Sequence, residues 1–571
     1  MKKNILYATL ITFAILALFL RGFNLGGLPI SPYWEEVALG YDAYSIAETG
    51  KDHHGTPWPL VAFESFGDWK PSGYFYAAVP SVKLLGLTVQ AVRLPSVIAG
   101  VAVVVGMFYF SMRIFEVFTE KIPPRIKVAT SLVAVFMATF SPWLLQFSRA
   151  AWEVNLATAL ILWGMICVLE YLAHRNKSVA YLLLSGIFFA LAAYTYHSTR
   201  VIGPILFLST LLYSFFSKYT LSTRKKRIYF PKNEFIAGIF FLVLLFPLLR
   251  SLSSAEGTQR FAETSIFSDL SIIIESNELQ SKVTVPGANL LFHRYVLFGR
   301  EVVTNMVSHF SIDFLFVHGD RNSRHSTGYT GILFPLDAAF LAAGWYFLFS
   351  KQKKAALFLL GWIIVGVLPA SVSHAAPHAL RILPIAPALL FVLAYGFVQL
   401  VFLLSKSQNL FSVRTLSTII AVVYLLQFFA YWRHYTAIYK VESSLEWQYG
   451  YAEVMPVVHK YASTTDEPVF VSRTYGRPAM YYFFYNKIDP RQVQARDAVE
   501  RMDQSEFITY ESIVFFDSLS SIPLEGAIFV AADQSDELLQ RVQSEGKKAS
   551  KIIDVEGVEG TKLWEGYAVT R

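Results

Sequence analysis

Apolar residues fall along this chain in long blocks separated by short polar joints, many of them basic. The blocks are 4–20, 92–114, 128–146, 151–172, 178–195, 199–217, 234–250, 331–350, 355–372, 380–404 and 414–433. Each is close to the roughly 20 apolar residues a helix needs to cross a bilayer, which predicts about eleven spans. One further stretch, 73–87, is short and holds Pro80 and Lys83. Beyond residue 433 the pattern changes. Strand-like runs at Pro468–Ser472, Ile513–Phe516 and Ala527–Ala532 lie among helical patterns at 447–462 and 533–545, which reads as a small α/β domain. The expected layout is a transmembrane domain over 1–433, with large loops at about 22–91 and 251–330, and an α/β domain over 434–571.

Charge sets the expected orientation. Met1-Lys2-Lys3 before an apolar run has the look of a signal peptide, but Arg21-Gly22-Phe23-Asn24 follows in place of a small-residue cleavage site, so the first helix is read as retained. If 73–87 does not cross and the N-terminus is cytoplasmic, the basic clusters between spans all fall on the inner side. They are Lys121, Arg125 and Lys127; Arg175 and Lys177; Lys218 with Arg224–Arg227 and Lys232; Lys351, Lys353 and Lys354; and Lys406 with Arg414. A crossing at 73–87 would move every later cluster outside, against the positive-inside rule. That segment is therefore expected to be a re-entrant or interfacial helix on the outer face, with the C-terminal domain extracytoplasmic.

Composition agrees with a multi-pass membrane protein. Hydrophobic residues make up 54% and charged residues 16% of 571 positions, where a soluble chain carries roughly 25% charged. This excludes a soluble enzyme, a disordered chain and a nucleic-acid module, and the recurrence of apolar blocks excludes a tail anchor. Lys and Arg number 49 against 42 Asp and Glu, and the excess reports topology, not a nucleic-acid partner. Cys167 is the only cysteine, so no intrachain disulfide can form.

The candidate chemistry lies at the outer helix ends. Glu35 and Glu36 open a helical pattern; helix-dipole stabilisation of an interfacial helix is the structural account, and a general base is the chemical one. Arg93, Arg149, Arg200 and Arg381 stand singly at outer ends of different spans, and Lys70 starts the 73–87 segment. Each alone suits a snorkelling anchor, whereas five on one face suit a shared phosphate site. His53 and His54 follow Asp52, and His374 and His378 are four apart with Pro377 between them. That proline interrupts a helical ligand pair, so no metal ligand is assigned. No phosphate-loop GxxxxGK, GxSxG or CxxC motif occurs.

Several segments together resemble the GT-C lipid-linked glycosyltransferases, above all bacterial relatives of protein O-mannosyltransferases and of the lipid A aminoarabinose transferase. They are Tyr33-Trp34-Glu35-Glu36-Val37-Ala38, Gly50-Lys51-Asp52, Phe66-Gly67-Asp68-Trp69-Lys70-Pro71, Ala91-Val92-Arg93-Leu94-Pro95-Ser96, Ser148–Glu153, Tyr196–Arg200, Phe314–Asp320 and Arg381–Pro384. The match covers most of 25–400 in order. The resemblance implies a GT-C bundle and inverting transfer of a monosaccharide from a polyprenyl phosphate to a hydroxyl acceptor (protein, lipid or glycan) at the outer face of the cell's plasma membrane. It implies Glu35 as the base, with Glu36 and Glu153 orienting acceptor and sugar and Glu153 a candidate second acid. Lys70, Arg93, Arg149, Arg200 and Arg381 would hold the donor phosphate. No cofactor is called for, with a divalent cation left open. The chain departs from the family in carrying Glu35 where Asp is usual and Lys70-Pro71-Ser72 where Lys-Pro-Pro is usual. The alternatives are a polysaccharide polymerase or ligase using a diphosphate-linked glycan, and an inactive acceptor-binding relative.

Overall fold

A computed structural model describes residues 3–65, 68–119, 122–173, 178–224, 231–251, 264–283, 285–407, 412–495 and 508–570. The basic residues Lys121, Arg175, Lys177 and Arg227, the pair Lys225–Lys226, the loop dipeptide Phe66-Gly67 and part of the 251–330 loop lie outside the described residues. The chain forms two compact units, one comprising 1–23, 96–148 and 152–434, the other 24–95, 149–151 and 435–571.

In chain order the first elements are α1 (Lys3–Gly22), α2 (Trp34–Thr49), β1 (Ala62–Ser65), β2 (Asp68–Pro71), α3 (Gly73–Leu85), α4 (Val89–Phe118), α5 (Pro124–Phe140), α6 (Pro142–Ser148), α7 (Glu153–Ala173), α8 (Val179–Thr195), α9 (Thr199–Arg224) and α10 (Lys232–Ser251). Among the described residues eight helices are long and apolar enough to cross a membrane, and nine if the bent pair α5–α6 is one span. About eleven were expected. The difference has three sources: α5 and α6 meet at 54°, α8 is an apolar helix of 17 residues, and the 331–350 block yields only the 15-residue helix Asp337–Lys351. Pro142 explains the first break, because its ring cannot continue the ladder of α5. The 73–87 stretch forms the 13-residue α3, about 20 Å long and too short to span.

Within the helical unit, α7 packs on α8, and Asp337–Lys351 packs on Ala386–Ser407. At the second crossing a methyl on Gly396 would collide with the Phe340 carbonyl and the Gly344 backbone, so the helices meet backbone to backbone. Arg21, fully buried, closes α1 onto the end of α5 by donating to the carbonyls of Ala138 (3.0 Å) and Thr139 (3.4 Å).

The second unit is mixed. Its sheet has the order β4-β5-β3-β6-β8-β7, made of β3 (Val469–Ser472), β4 (Thr509–Tyr510), β5 (Ile513–Phe516), β6 (Gly526–Ala531), β7 (Lys548–Glu556) and β8 (Lys562–Thr570). The three runs predicted as strands are β3, β5 and β6, and they form the parallel centre. Buried strands of parallel sheets read as continuous apolar runs, which is why they were visible in the sequence. The antiparallel pair β7–β8 was not, because β7 is mostly exposed or half-buried and carries Lys548, Lys551 and Asp554 without strict alternation. The unit takes in more than the tail from residue 435. Residues 24–95 join the tail, and the Tyr41 ring lies 5.5 Å from that of Phe483.

Candidate active site

Helix α2, in the mixed unit, carries the candidates Glu35 and Glu36. Its first N–H, on Trp34, donates to the side-chain carbonyl of Gln448 at 2.8 Å. Gln448 is itself held by the Tyr481 hydroxyl (2.7 Å) and by its own donation to the Tyr475 carbonyl (2.8 Å). The helix ends at Gly50, whose φ of 71° is the left-handed conformation that glycine tolerates at a C-terminus.

The adjacent glutamates meet different cations. Glu36 is buried and takes a two-pronged interaction from Arg93, Nε to Oε1 and Nη2 to Oε2, both 2.9 Å. The Ala151 N–H adds a third bond to Oε1 at 2.8 Å. Arg93 spends its remaining N–H groups on the carbonyls of Leu25, Pro29 and Ser31 at 2.8–2.9 Å. A guanidinium has five N–H donors, and all five are used. Arg93 is therefore reassigned from phosphate binding to holding the loop before α2, with Trp447 lying against its face at 5.9 Å. Glu36 likewise becomes a strut, its carboxylate already satisfied by three donors.

Glu35 pairs with Lys70, which β2 presents opposite Phe63 in the β1–β2 hairpin. A quarter of the Glu35 side chain remains accessible against 1% for Glu36. Each carboxylate thus has its own cation. Arg149 is buried, donates to the Leu28 carbonyl at 3.2 Å and lies over the Tyr435 ring at 5.5 Å. Further along α2, Asp42 accepts from the His53 backbone (3.0 Å) and lies 2.7 Å from its Nδ1. Asp52 is pushed up to about 6 by burial and by the Asp42 charge.

The helical unit holds the other three candidates. Glu153 is the first residue of α7, where the helix dipole favours an anion. Arg381 precedes the short turn Leu383–Ile385, and it and Glu153 both act electrostatically on Tyr196. Arg200, in the first turn of α9, has Nε and Nη2 buried with no hydrogen-bond partner among the described residues. The two histidines four apart do not act together. His374 lies 3.8 Å from Asp269, whereas His378 turns toward Asp320 and His325. Sequence reasoning missed Gln448, Tyr435 and Trp447, because the segments that carry the resemblance all lie before residue 385.

No family model matches the chain, and no curated protein matches it by sequence. Solved structures do. ArnT from Cupriavidus metallidurans bound to undecaprenyl phosphate superposes with a TM-score of 0.52 at 13% identity over 97% of both chains. Its apo state gives 0.50 at 12% identity over the same shares. The fold is of the GT-C type. A GT-C fold accounts for an apolar helical bundle joined to a mixed C-terminal region in one multi-pass membrane chain. The archaeal oligosaccharyltransferase AglB from Archaeoglobus fulgidus also matches, at 11% identity and a TM-score of 0.46, over 75% of its own length.

Proposed function

We propose that this chain is an inverting glycosyltransferase of the inner cell membrane, moving a monosaccharide from a polyprenyl phosphate to a hydroxyl acceptor. The observation that carries this reading is the partly accessible Glu35 carboxylate, paired with the buried Lys70, beside the sealed Glu36–Arg93 pair, in a GT-C fold. A neighbour with that fold, ArnT, was solved with undecaprenyl phosphate.

In this reading Glu35 takes the proton of the acceptor hydroxyl as its oxygen attacks the anomeric carbon. The bond from that carbon to the phosphate oxygen breaks, and its electron pair leaves with the phosphate. Attack opposite the leaving group inverts the centre. Lys70, Arg149, Arg200 and Arg381 supply positive charge for the departing phosphate, so no general acid is needed. Arg200 suits the role because two of its buried nitrogens have no hydrogen-bond partner among the described residues. Glu153 orients sugar or acceptor. The N-terminus is cytoplasmic and the C-terminal region extracytoplasmic.

The deciding experiment presents the purified full-length protein with polyprenyl-phosphate sugars and a panel of hydroxyl acceptors. Transfer with inversion from the monophosphate donor is expected. Transfer only from diphosphate-linked glycans replaces the reading with a polymerase or ligase, and failure with every donor leaves an inactive relative. For orientation, a reporter active only in the cytoplasm should be silent after Arg571 and active near Lys226. The opposite pattern overturns the topology.

A further inference from the structure

The segment after the turn Asp313–Val317 folds back on itself. Asp320 Oδ1 accepts the Asn322 N–H at 2.9 Å, and the Asn322 carbonyl accepts the His325 N–H at 2.8 Å. This turn returns the His325 ring to Asp320, with Nδ1 3.2 Å from Oδ2. From the loop between Lys353–Ser371 and Ala386–Ser407, His378 places its own Nδ1 3.7 Å from the same oxygen. That Nδ1 is buried and makes no hydrogen bond among the described residues. The two imidazole rings lie 4.8 Å apart, and one ligand atom from each of the three residues falls within 4.8 Å of the others.

We propose that Asp320, His325 and His378 bind a divalent transition metal, of the class to which Zn²⁺ belongs. Zinc bonds of about 2.0–2.2 Å in a tetrahedral arrangement set ligand atoms roughly 3.3–3.6 Å apart. The two measured edges at Asp320, 3.2 and 3.7 Å, bracket that spacing. Two imidazoles and one carboxylate suit zinc-like ions, whereas Mg²⁺ and Ca²⁺ prefer oxygen sets.

The outer shell is already in place. The Ala379 N–H donates to Asp320 Oδ2 at 2.7 Å and the Asn322 N–H to Oδ1, which fixes the carboxylate. The His325 ring is wedged against Trp152 at 5.2 Å and Phe147 at 5.8 Å. Binding through Nδ1 would replace the contact between His325 and Asp320 by bonds from each to the ion. Arg381 acts on His378 from the same loop and opposes a dication, a single charge against three direct ligand bonds. Three protein ligands leave one tetrahedral position for water or an oxygen ligand. This site does not depend on the transfer reaction proposed above.

The test uses full-length protein in detergent, stripped with a chelator and titrated with Zn²⁺ alone, its metal content read by mass spectrometry. One zinc per chain is expected in the parent and in Glu35→Gln. His325→Ala and His378→Ala should each weaken binding by more than the roughly 10–100-fold typical of outer-shell changes. Co²⁺ loaded into the parent protein should give the visible absorption of a tetrahedral His/carboxylate site, a readout that needs no variant to fold. Parent protein that takes up neither ion at micromolar concentration, or histidine variants that bind as the parent does, would overturn the proposal.

Discussion

Glu35 and Glu36 are neighbours on the same helical turn, each meets a cation, and the two pairs are built for different ends. Around Glu36 the carboxylate takes three N–H groups and Arg93 gives all five of its own, with neither side chain more than 1% exposed. Around Glu35 the buried Lys70 ammonium, from a hairpin strand, meets a carboxylate that is one quarter accessible. A charge network with every donor and acceptor matched has nothing left to offer a substrate. It fixes backbone instead, here the loop of Leu25, Pro29 and Ser31 that leads into α2. The Glu35 carboxylate keeps a face that a ligand can reach. Residue type alone therefore does not separate chemistry from scaffold.

The largest expected effect tests the open pair. Glu35→Gln should lower turnover about 10²–10⁴-fold, the usual contribution of a positioned base. Its thermal unfolding midpoint should fall by less than for a fully buried pair, because the amide still accepts a hydrogen bond from the buried Lys70 ammonium. Glu35→Asp, the residue usual in the resembling family, should also slow transfer by drawing the carboxylate back from the acceptor. Full turnover in Glu35→Gln would move the base elsewhere, with Glu153 next to be tested.

Arg93→Met tests the sealed pair, and here stability should fall with no specific effect on donor affinity. Removing one partner of a buried ion pair costs about 3–5 kcal/mol. Removing Glu36 as well, in Glu36→Leu with Arg93→Met, should recover part of the loss in a double-mutant cycle. A variant of normal stability that has lost donor binding would return Arg93 to the phosphate site.

Gly476 links the comparison to the tail. Its φ is 115°, and a methyl there would press on the Gln448 amide and the Trp34 ring, the contacts that seat the start of α2. Gly476→Ala should cost about 1–3 kcal/mol in strain, seen as an earlier unfolding midpoint. If α2 is seated through Gln448, the residual folded fraction should also transfer more slowly.

The smallest effect concerns Asp52, at the far end of the same helix–loop segment. Burial first, and then Asp42, lifts its carboxyl from 3.8 to about 6. Between those values the folded chain holds a proton that the unfolded chain has released, so stability should decline as pH rises through that window and level off above it. Asp52→Asn should flatten that slope in unfolding measured from pH 4 to 7. An unchanged slope would place the titration elsewhere.

The sequence by itself determined the membrane class, the apolar blocks and the central strands β3, β5 and β6, because these depend on runs of like residues that burial or lipid demands locally. It also drew Glu35, Lys70, Arg149, Arg200 and Arg381 to attention as polar residues near predicted helix ends, and Glu153 through the family resemblance. Only tertiary structure decided which of the equivalent-looking cations were already spent. Arg93 is satisfied by carbonyls more than sixty residues back along the chain, and His378 faces Asp320 and His325 where spacing suggested His374. It also decided that residues 24–95 join the tail in one unit, since Gln448 meets Trp34 across 414 residues. Periodicity reports how a segment meets its surroundings, but a hydrogen-bond partner is set by where distant backbone passes, and no local pattern encodes that.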